Sequence, residues 1–167
     1  FGLSDKSGVA SLYMSLESDV LASTIENVQR GSFRGNSQVI HVDLETGDSY
    51  CDDAQVTKVD CLKIDVEGAE FNVLRGFEAM LHHESIKFIQ FEYGKTTALA
   101  GSSLRGLFDI LSDSYILLRV MPEGYFLLNS SSLDSFEDYR WANYLAVSRS
   151  CEPSFLKYLE ERSIKRP

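Results

Sequence analysis

Two short apolar runs in this sequence end in carboxylates. Cys61-Leu62-Lys63-Ile64-Asp65-Val66 runs into Glu67-Gly68, and Ile86-Lys87-Phe88-Ile89-Gln90-Phe91 runs into Glu92-Tyr93-Gly94. Carboxylates act as general bases, as partners for cations and as ligands for hard metals. In an open α/β sheet, ligands bind beyond the carboxyl ends of the strands, where Asp65, Glu67 and Glu92 would stand. Strand alternation puts Lys63 and Asp65 on one face and Leu62, Ile64 and Val66 on the other. A lysine inside a buried strand is costly unless it reaches a cavity or a partner charge. Glu70 falls in the first turn of the following helix, where the helix dipole favours an anion. The plain alternative is that these acids only terminate strands and cap a helix, since acids at helix starts are common.

The elements that must position these residues follow from periodicity. Val9 to Leu16 alternates as a short strand after a turn at Gly8, and Val39 to Leu44 alternates as another. Between them, residues 17 to 38 are polar and interrupted by Gly31 and Gly35, which predicts a long loop. Such a loop suits a lid over a site, with Ser23 and Arg34 as side chains it could bring to a ligand. Cys61 to Val66 predicts a central parallel strand with Ile86 to Phe91 beside it, joined by a helix from about Ala69 to His82. Phe71, Leu74, Phe77 and Leu81 form that helix's apolar stripe. Ser102 or Ser103 caps a further helix striped by Leu104, Leu107, Phe108 and Leu111. Tyr115 to Val120 and Tyr125 to Leu128 flank the turn Pro122-Glu123-Gly124, Asn143 to Ser148 is a final strand, and Pro153 opens a last helix. Strands alternating with helices predict a mostly parallel sheet with an antiparallel hairpin at one edge, in a single domain over 1–167.

Composition bounds the function classes. The chain has 167 residues, 44% hydrophobic, with net charge -9 and pI near 4.8. An acidic surface repels phosphate backbones, and the densest basic stretch is Lys165-Arg166, so nucleic acid is a poor partner. No apolar run approaches the roughly 20 residues that span a bilayer. Phe1-Gly2-Leu3-Ser4-Asp5 lacks the regions of a signal peptide. Cys51, Cys61 and Cys151 lack CxxC spacing, and Cys61 reads as a small buried hydrophobe; a reducing, cytoplasmic setting fits. His41 reads as a partly buried strand residue, His82-His83 as a helix terminus, and Tyr139, Trp141 and Tyr144 as packing.

The string Leu62-Lys63-Ile64-Asp65-Val66-Glu67-Gly68-Ala69-Glu70, continued by Val73-Leu74-Arg75-Gly76, closely resembles the signature of FkbM-family methyltransferases. The flanks agree in order. Phe1 to Asp5 with Gly8 resembles the segment after the family's third strand, and Val42 to Cys51 its Thr-Leu-Asp-Asp region, with Gly47 in place of a leucine. Phe91-Glu92-Tyr93 resembles the acidic end of its fifth strand, and Asn143 to Val147 its last strand. The resemblance implies a Rossmann-like class I methyltransferase sheet. The family's opening strand, glycine-rich cofactor turn and ribose-binding acid do not occur in this sequence.

What the resemblance implies chemically is transfer of a methyl group from S-adenosylmethionine to a hydroxyl of a small molecule or glycan. Asp65 then takes the fourth-strand acidic position beside the methyl group, with cofactor contact. Glu67 is the first choice for base or substrate contact, with Glu92 facing it. Lys63 orients Asp65 or the acceptor. Ser4 and Asp5 match the region bordering adenine. Asp65, Glu67, Glu70 and Glu92 also form an oxygen-rich set of the kind that holds Mg²⁺, but acids beside a sulfonium need no metal. A different class of function is a non-catalytic binding or assembly module, whose exposed sheet edge finds a partner or a second copy in a homo-oligomer.

Overall fold

A computed structural model of the chain describes residues 1–15, 22–26 and 37–164. Among them, nine strands build two sheets. The first contains β1 (Gly2–Leu3), β2 (Gly8–Ser15), β3 (Ala22–Ser23) and β4 (Ser37–Glu45), in the order β1-β4-β2-β3. Its body is the antiparallel ribbon of β2 and β4, paired from Gly8 opposite Leu44 to Ser15 opposite Ser37. The second sheet contains β5 (Val59–Ile64), β6 (Ile86–Tyr93), β7 (Tyr115–Met121), β8 (Gly124–Leu127) and β9 (Ala142–Ser148), in the order β5-β6-β9-β7-β8.

The expected mostly parallel sheet is not what the chain forms. Only β1 with β4 and β5 with β6 pair in parallel, and the other pairings are antiparallel. The physical reason is connectivity. A parallel pair needs a crossover, which the helices between β5 and β6 supply, whereas β2 meets β4 and β7 meets β8 as antiparallel ribbons. The last strand, β9, then slots antiparallel between β6 and β7. The parallel neighbours β5 and β6 agree with expectation, but β5 lies at the edge of its sheet rather than at its centre.

The helices differ in detail from the periodic reading. A helix α1 (Gly47–Asp53) follows β4 and is capped by Thr46, whose hydroxyl accepts from the Ser49 amide at 3.1 Å. The single helix expected over Ala69 to His82 is two: α2 (Glu70–Arg75) and α3 (Glu78–His82). The break falls at Gly76, where an added Cβ would stand 2.0 Å from the Ser4 carbonyl oxygen. No side chain fits where the chain passes that backbone. A short α4 (Lys95–Leu99) precedes α5 (Leu104–Leu111), and α6 (Pro153–Arg162) closes the chain with Pro153 in its first turn. Ser103 is the cap of α5, accepting from the Gly106 amide at 3.0 Å.

One face of the second sheet carries the main core. Ile64, Ile89, Phe91, Leu117, Tyr144 and Ala146 meet Leu74, Leu104, Leu107 and Leu111 of the helices. The other face is covered at one end, where Leu118 and Val147 pack on Leu159 of α6. At its carboxyl-end margin Gln90, Val120, Asn143 and Leu145 line an open hollow instead. The expected burial of Cys61 and His41 does not occur, and both are exposed. Cys61 shares the outward face of an edge strand with Lys63, and His41 sits on the two-stranded part of the first sheet with little to cover it. Of the lid segment, residues 17–21 and 27–36, with Arg34, lie outside the described residues.

Candidate active site

The parallel register sets Lys63 opposite Gln90 and Ile64 opposite Phe91, so β5 and β6 end side by side. The acids that follow each strand are thereby neighbours. The Lys63 Nζ donates to Asp65 Oδ2 at 2.8 Å, and both side chains are well exposed. That bond, first, and the Asp65 charge raise the Lys63 pKa, with a further contribution from Glu92. The expected lysine–aspartate alignment on one strand face is what the pleat produces, and the edge position removes the burial cost.

Glu67 is half-buried. Burial, chiefly, and then the charges of Asp65 and Glu92 hold its carboxyl above the ordinary value of 4.5. Its backbone sits at φ 48, followed by Gly68 at φ 104. For a residue with a side chain that left-handed geometry costs about 1–2 kcal/mol. Three contacts hold the turn. Ser23 Oγ, buried, donates to the Glu67 carbonyl oxygen at 2.8 Å. Glu70 is 2% exposed and its Oε1 accepts from the Gly68 amide at 3.1 Å. Thr97 Oγ1 donates to its other oxygen at 3.5 Å. Burial raises the Glu70 pKa, against the backbone N–H bonds of Gly68, Glu70 and Val66 that lower it. Glu70 is thus the internal brace of the acidic turn, in keeping with the capping role open to it from sequence. Ser23, expected to be available to a ligand, is instead committed to the Glu67 backbone.

The end of β6 is fixed separately. Tyr93 donates its hydroxyl to Glu137, which also accepts the amides of Leu104 and Arg105 at the start of α5. Glu92 points the other way and accepts from Trp141 Nε1 at 2.6 Å. Trp141 lies close because Gly94 passes its backbone, an added Cβ standing 3.1 Å from the Trp141 Cα. Sequence reasoning took Tyr139, Trp141 and Tyr144 together as packing. Only Tyr144 is buried, while Tyr139 and Trp141 are 51% and 67% exposed. The three differ because Tyr144 lies within β9, facing the core, whereas the other two precede the strand.

A cavity of about 250 Å³ opens beside Asp65. Phe1, Leu3, Leu12, Leu44 and Val66 give it apolar walls, and Asp65 supplies the charge. Ser4 and Asp5 stand just past it. Ser4 is buried with its amide on the Glu45 carbonyl at 2.9 Å, and Asp5 is exposed and takes the Ser4 hydroxyl.

The molecule is a mixed α/β protein with a carboxylate cluster where two parallel strands end. Residues 1–115 match the family model described as the methyltransferase FkbM domain. The matched part exceeds half of the chain, and the chain belongs to the FkbM methyltransferase family. Neither the curated proteins nor the solved structures compared with it include a significant match.

Proposed function

We propose that the protein catalyses S-adenosylmethionine-dependent O-methylation of a hydroxyl on a small molecule or carbohydrate. The observation that carries this reading is Glu67, a half-buried carboxyl with a raised pKa, facing Asp65 and Glu92 beside a cavity. A general base works best when its pKa lies near the operating pH, and the raised value moves Glu67 in that direction. Glu67 takes the acceptor's hydroxyl proton, and Glu92 and Asp65 give the site the negative charge that suits a sulfonium. Lys63 orients Asp65. The cavity offers apolar walls suited to an adenine and the Asp65 carboxylate suited to the cation, while Ser4 and Asp5, which the family resemblance sets beside the adenine, do not line it. When bound, the cofactor supplies an electrophilic methyl group. Aligning donor and acceptor contributes on the order of 7–11 kcal/mol at best, more than any one side chain.

The three free cysteines support a reducing, cytoplasmic setting. Among the described residues no helix is long and apolar enough to cross a membrane. A non-catalytic assembly role draws on one observation, the outer edge of β5 left unpaired among the described residues. Titration calorimetry with S-adenosylhomocysteine separates the two readings. Saturable binding, lost when Asp65 becomes Ala, is the expected result. No heat of binding, together with no S-adenosylhomocysteine formed from S-adenosylmethionine and a panel of hydroxyl acceptors, would overturn the enzyme reading.

A further inference from the structure

The acidic turn is fastened from two sides that lie far apart in the sequence. Both polar groups of the peptide unit between Glu67 and Gly68 are taken by buried side chains. Its carbonyl oxygen accepts from Ser23 Oγ at 2.8 Å, and its N–H donates to Glu70 Oε1 at 3.1 Å. Ser23 is 1% exposed and Glu70 2%. Glu70 belongs to α2, the helix that follows the turn. Ser23 comes from the other sheet, on the two-residue strand β3, where it pairs opposite Tyr13 of β2.

Backbone preference does not keep this peptide in place. Glu67 stands at φ 48 and Gly68 at φ 104. Glycine tolerates many other backbone angles, and a residue with a side chain is more at ease at negative φ. Rotation of the shared peptide would let Glu67 relax and would swing its carboxyl away from Asp65 and Glu92. The Ser23 hydroxyl opposes that rotation from a fixed direction, because it accepts from the Ile25 amide at 3.1 Å while it donates to Glu67. Dislodging a buried hydroxyl with both roles filled leaves two backbone groups without their partner. Ala22, Ser23 and Thr24 also line the cavity beside Asp65 and Val66. The residue that fastens Glu67 is therefore part of the cavity wall.

We propose that Ser23 is a positioning residue for the reaction: fastening the Glu67–Gly68 peptide from the cavity wall, it aims the Glu67 carboxyl into the acid cluster. It acts through Glu67 and not on the reacting atoms. The first sheet thereby serves the acidic cleft directly, since its shortest inner strand supplies the hydroxyl that sets the base. The effect on turnover rests on the methyl-transfer reading of the cleft; the hold on Glu67 does not.

The test reads Glu67 itself and needs no acceptor. Isotope-labelled glutamate carboxyls are titrated by NMR, with Glu67→Gln assigning the signal, and the Gly68 amide is followed by hydrogen exchange. In the wild type Glu67 should titrate above the ordinary 4.5. In Ser23→Ala its midpoint should fall toward 4.5 as the carboxyl turns to solvent. The Gly68 amide should exchange about five- to tenfold faster, the weight of one hydrogen bond. Ser23→Thr, which keeps the hydroxyl, should restore both. A lower Tm in Ser23→Ala with the Glu67 midpoint and the Gly68 exchange unchanged makes Ser23 a structural residue only and overturns the proposal. If Ser23→Ala does not fold, Ser23→Cys, close in size and only a weak donor, carries the same comparison. Kinetics with S-adenosylmethionine and the hydroxyl acceptors keep the readings apart. In an active protein Ser23→Ala should lower kcat and move the acidic limb of the pH profile downward, with the KM for S-adenosylmethionine unchanged. The Glu67 response without any methyl transfer removes the methyltransferase reading and leaves the positioning role standing.

Discussion

At the residue scale, Glu67 combines an uncomfortable backbone, partial burial and two carboxylate neighbours. Gln55, Glu84 and Tyr139 also stand at positive φ, so it is the combination at Glu67, and not the backbone alone, that sets it apart. Replacing Glu67 by Gln keeps size and hydrogen bonding but removes the base. Turnover should fall by about 10²–10⁴-fold, the usual weight of a general base, with S-adenosylhomocysteine affinity unchanged. Steady-state kinetics beside calorimetry measure both, and equal losses in the two would assign Glu67 a structural part instead. The pH profile follows from the sign of the shift. A base acts when deprotonated, and the Glu67 carboxyl is raised above 4.5, so the rate should climb with pH through a midpoint above that value. In Glu67→Gln that acidic limb should vanish.

At the scale of elements, the strand–turn–helix from β5 to α2 is held by Glu70. Its carboxylate is buried among backbone amides. Glu70→Ala leaves those N–H groups unsatisfied and should cost about 1–3 kcal/mol, read from denaturant unfolding. Glu70 also gives stability a pH slope. Its folded pKa is raised, so the folded state holds the proton more tightly than the unfolded chain. The contribution is therefore full below the ordinary 4.5 and fades as pH rises through the folded value. Glu70→Gln, which mimics the protonated form, should flatten that part of the Tm profile against pH. The bend between α2 and α3 makes a separate demand. Gly76→Ala drives a methyl into the Ser4 carbonyl oxygen, a backbone atom that cannot swing aside. Overpacking of this kind costs about 1–3 kcal/mol. A wild-type Tm in that variant would mean that the β1 turn yields freely.

At the scale of the whole molecule, the two sheets and their helices sort the cysteines by access. Cys61 is exposed, Cys151 intermediate and Cys51 buried. Burial, first, and the nearby Asp48 charge also raise the Cys51 thiol, which keeps it protonated and slow. Alkylation followed by mass spectrometry should therefore label Cys61 first and Cys51 last. Early labelling of Cys51 would show that α1 opens from the core readily.

What the sequence determined alone was local. Apolar runs ending in Asp65, Glu67 and Glu92, the stripe of Leu104, Leu107 and Leu111, the Ser103 cap and the Pro122-Glu123-Gly124 turn all rest on interactions within a few residues. So did the adjacency of β5 and β6, because one amphipathic segment between two apolar runs constrains a crossover. The tertiary structure decided what depends on distant partners. Gly76 has no room for a side chain because Ser4 passes it, and Ser23 is tied to a carbonyl 44 positions away, a contact that no periodicity encodes. Cys61 has the pattern of a core residue but sits on a sheet edge, since strand alternation says which residues share a face and not whether that face is covered. The antiparallel insertion of β9 is likewise decided only by which edges remain open once the other strands have paired. Trp141 follows the same rule: its type promised packing, and its place just before a strand, beside Gly94 and Glu92, left it facing outward.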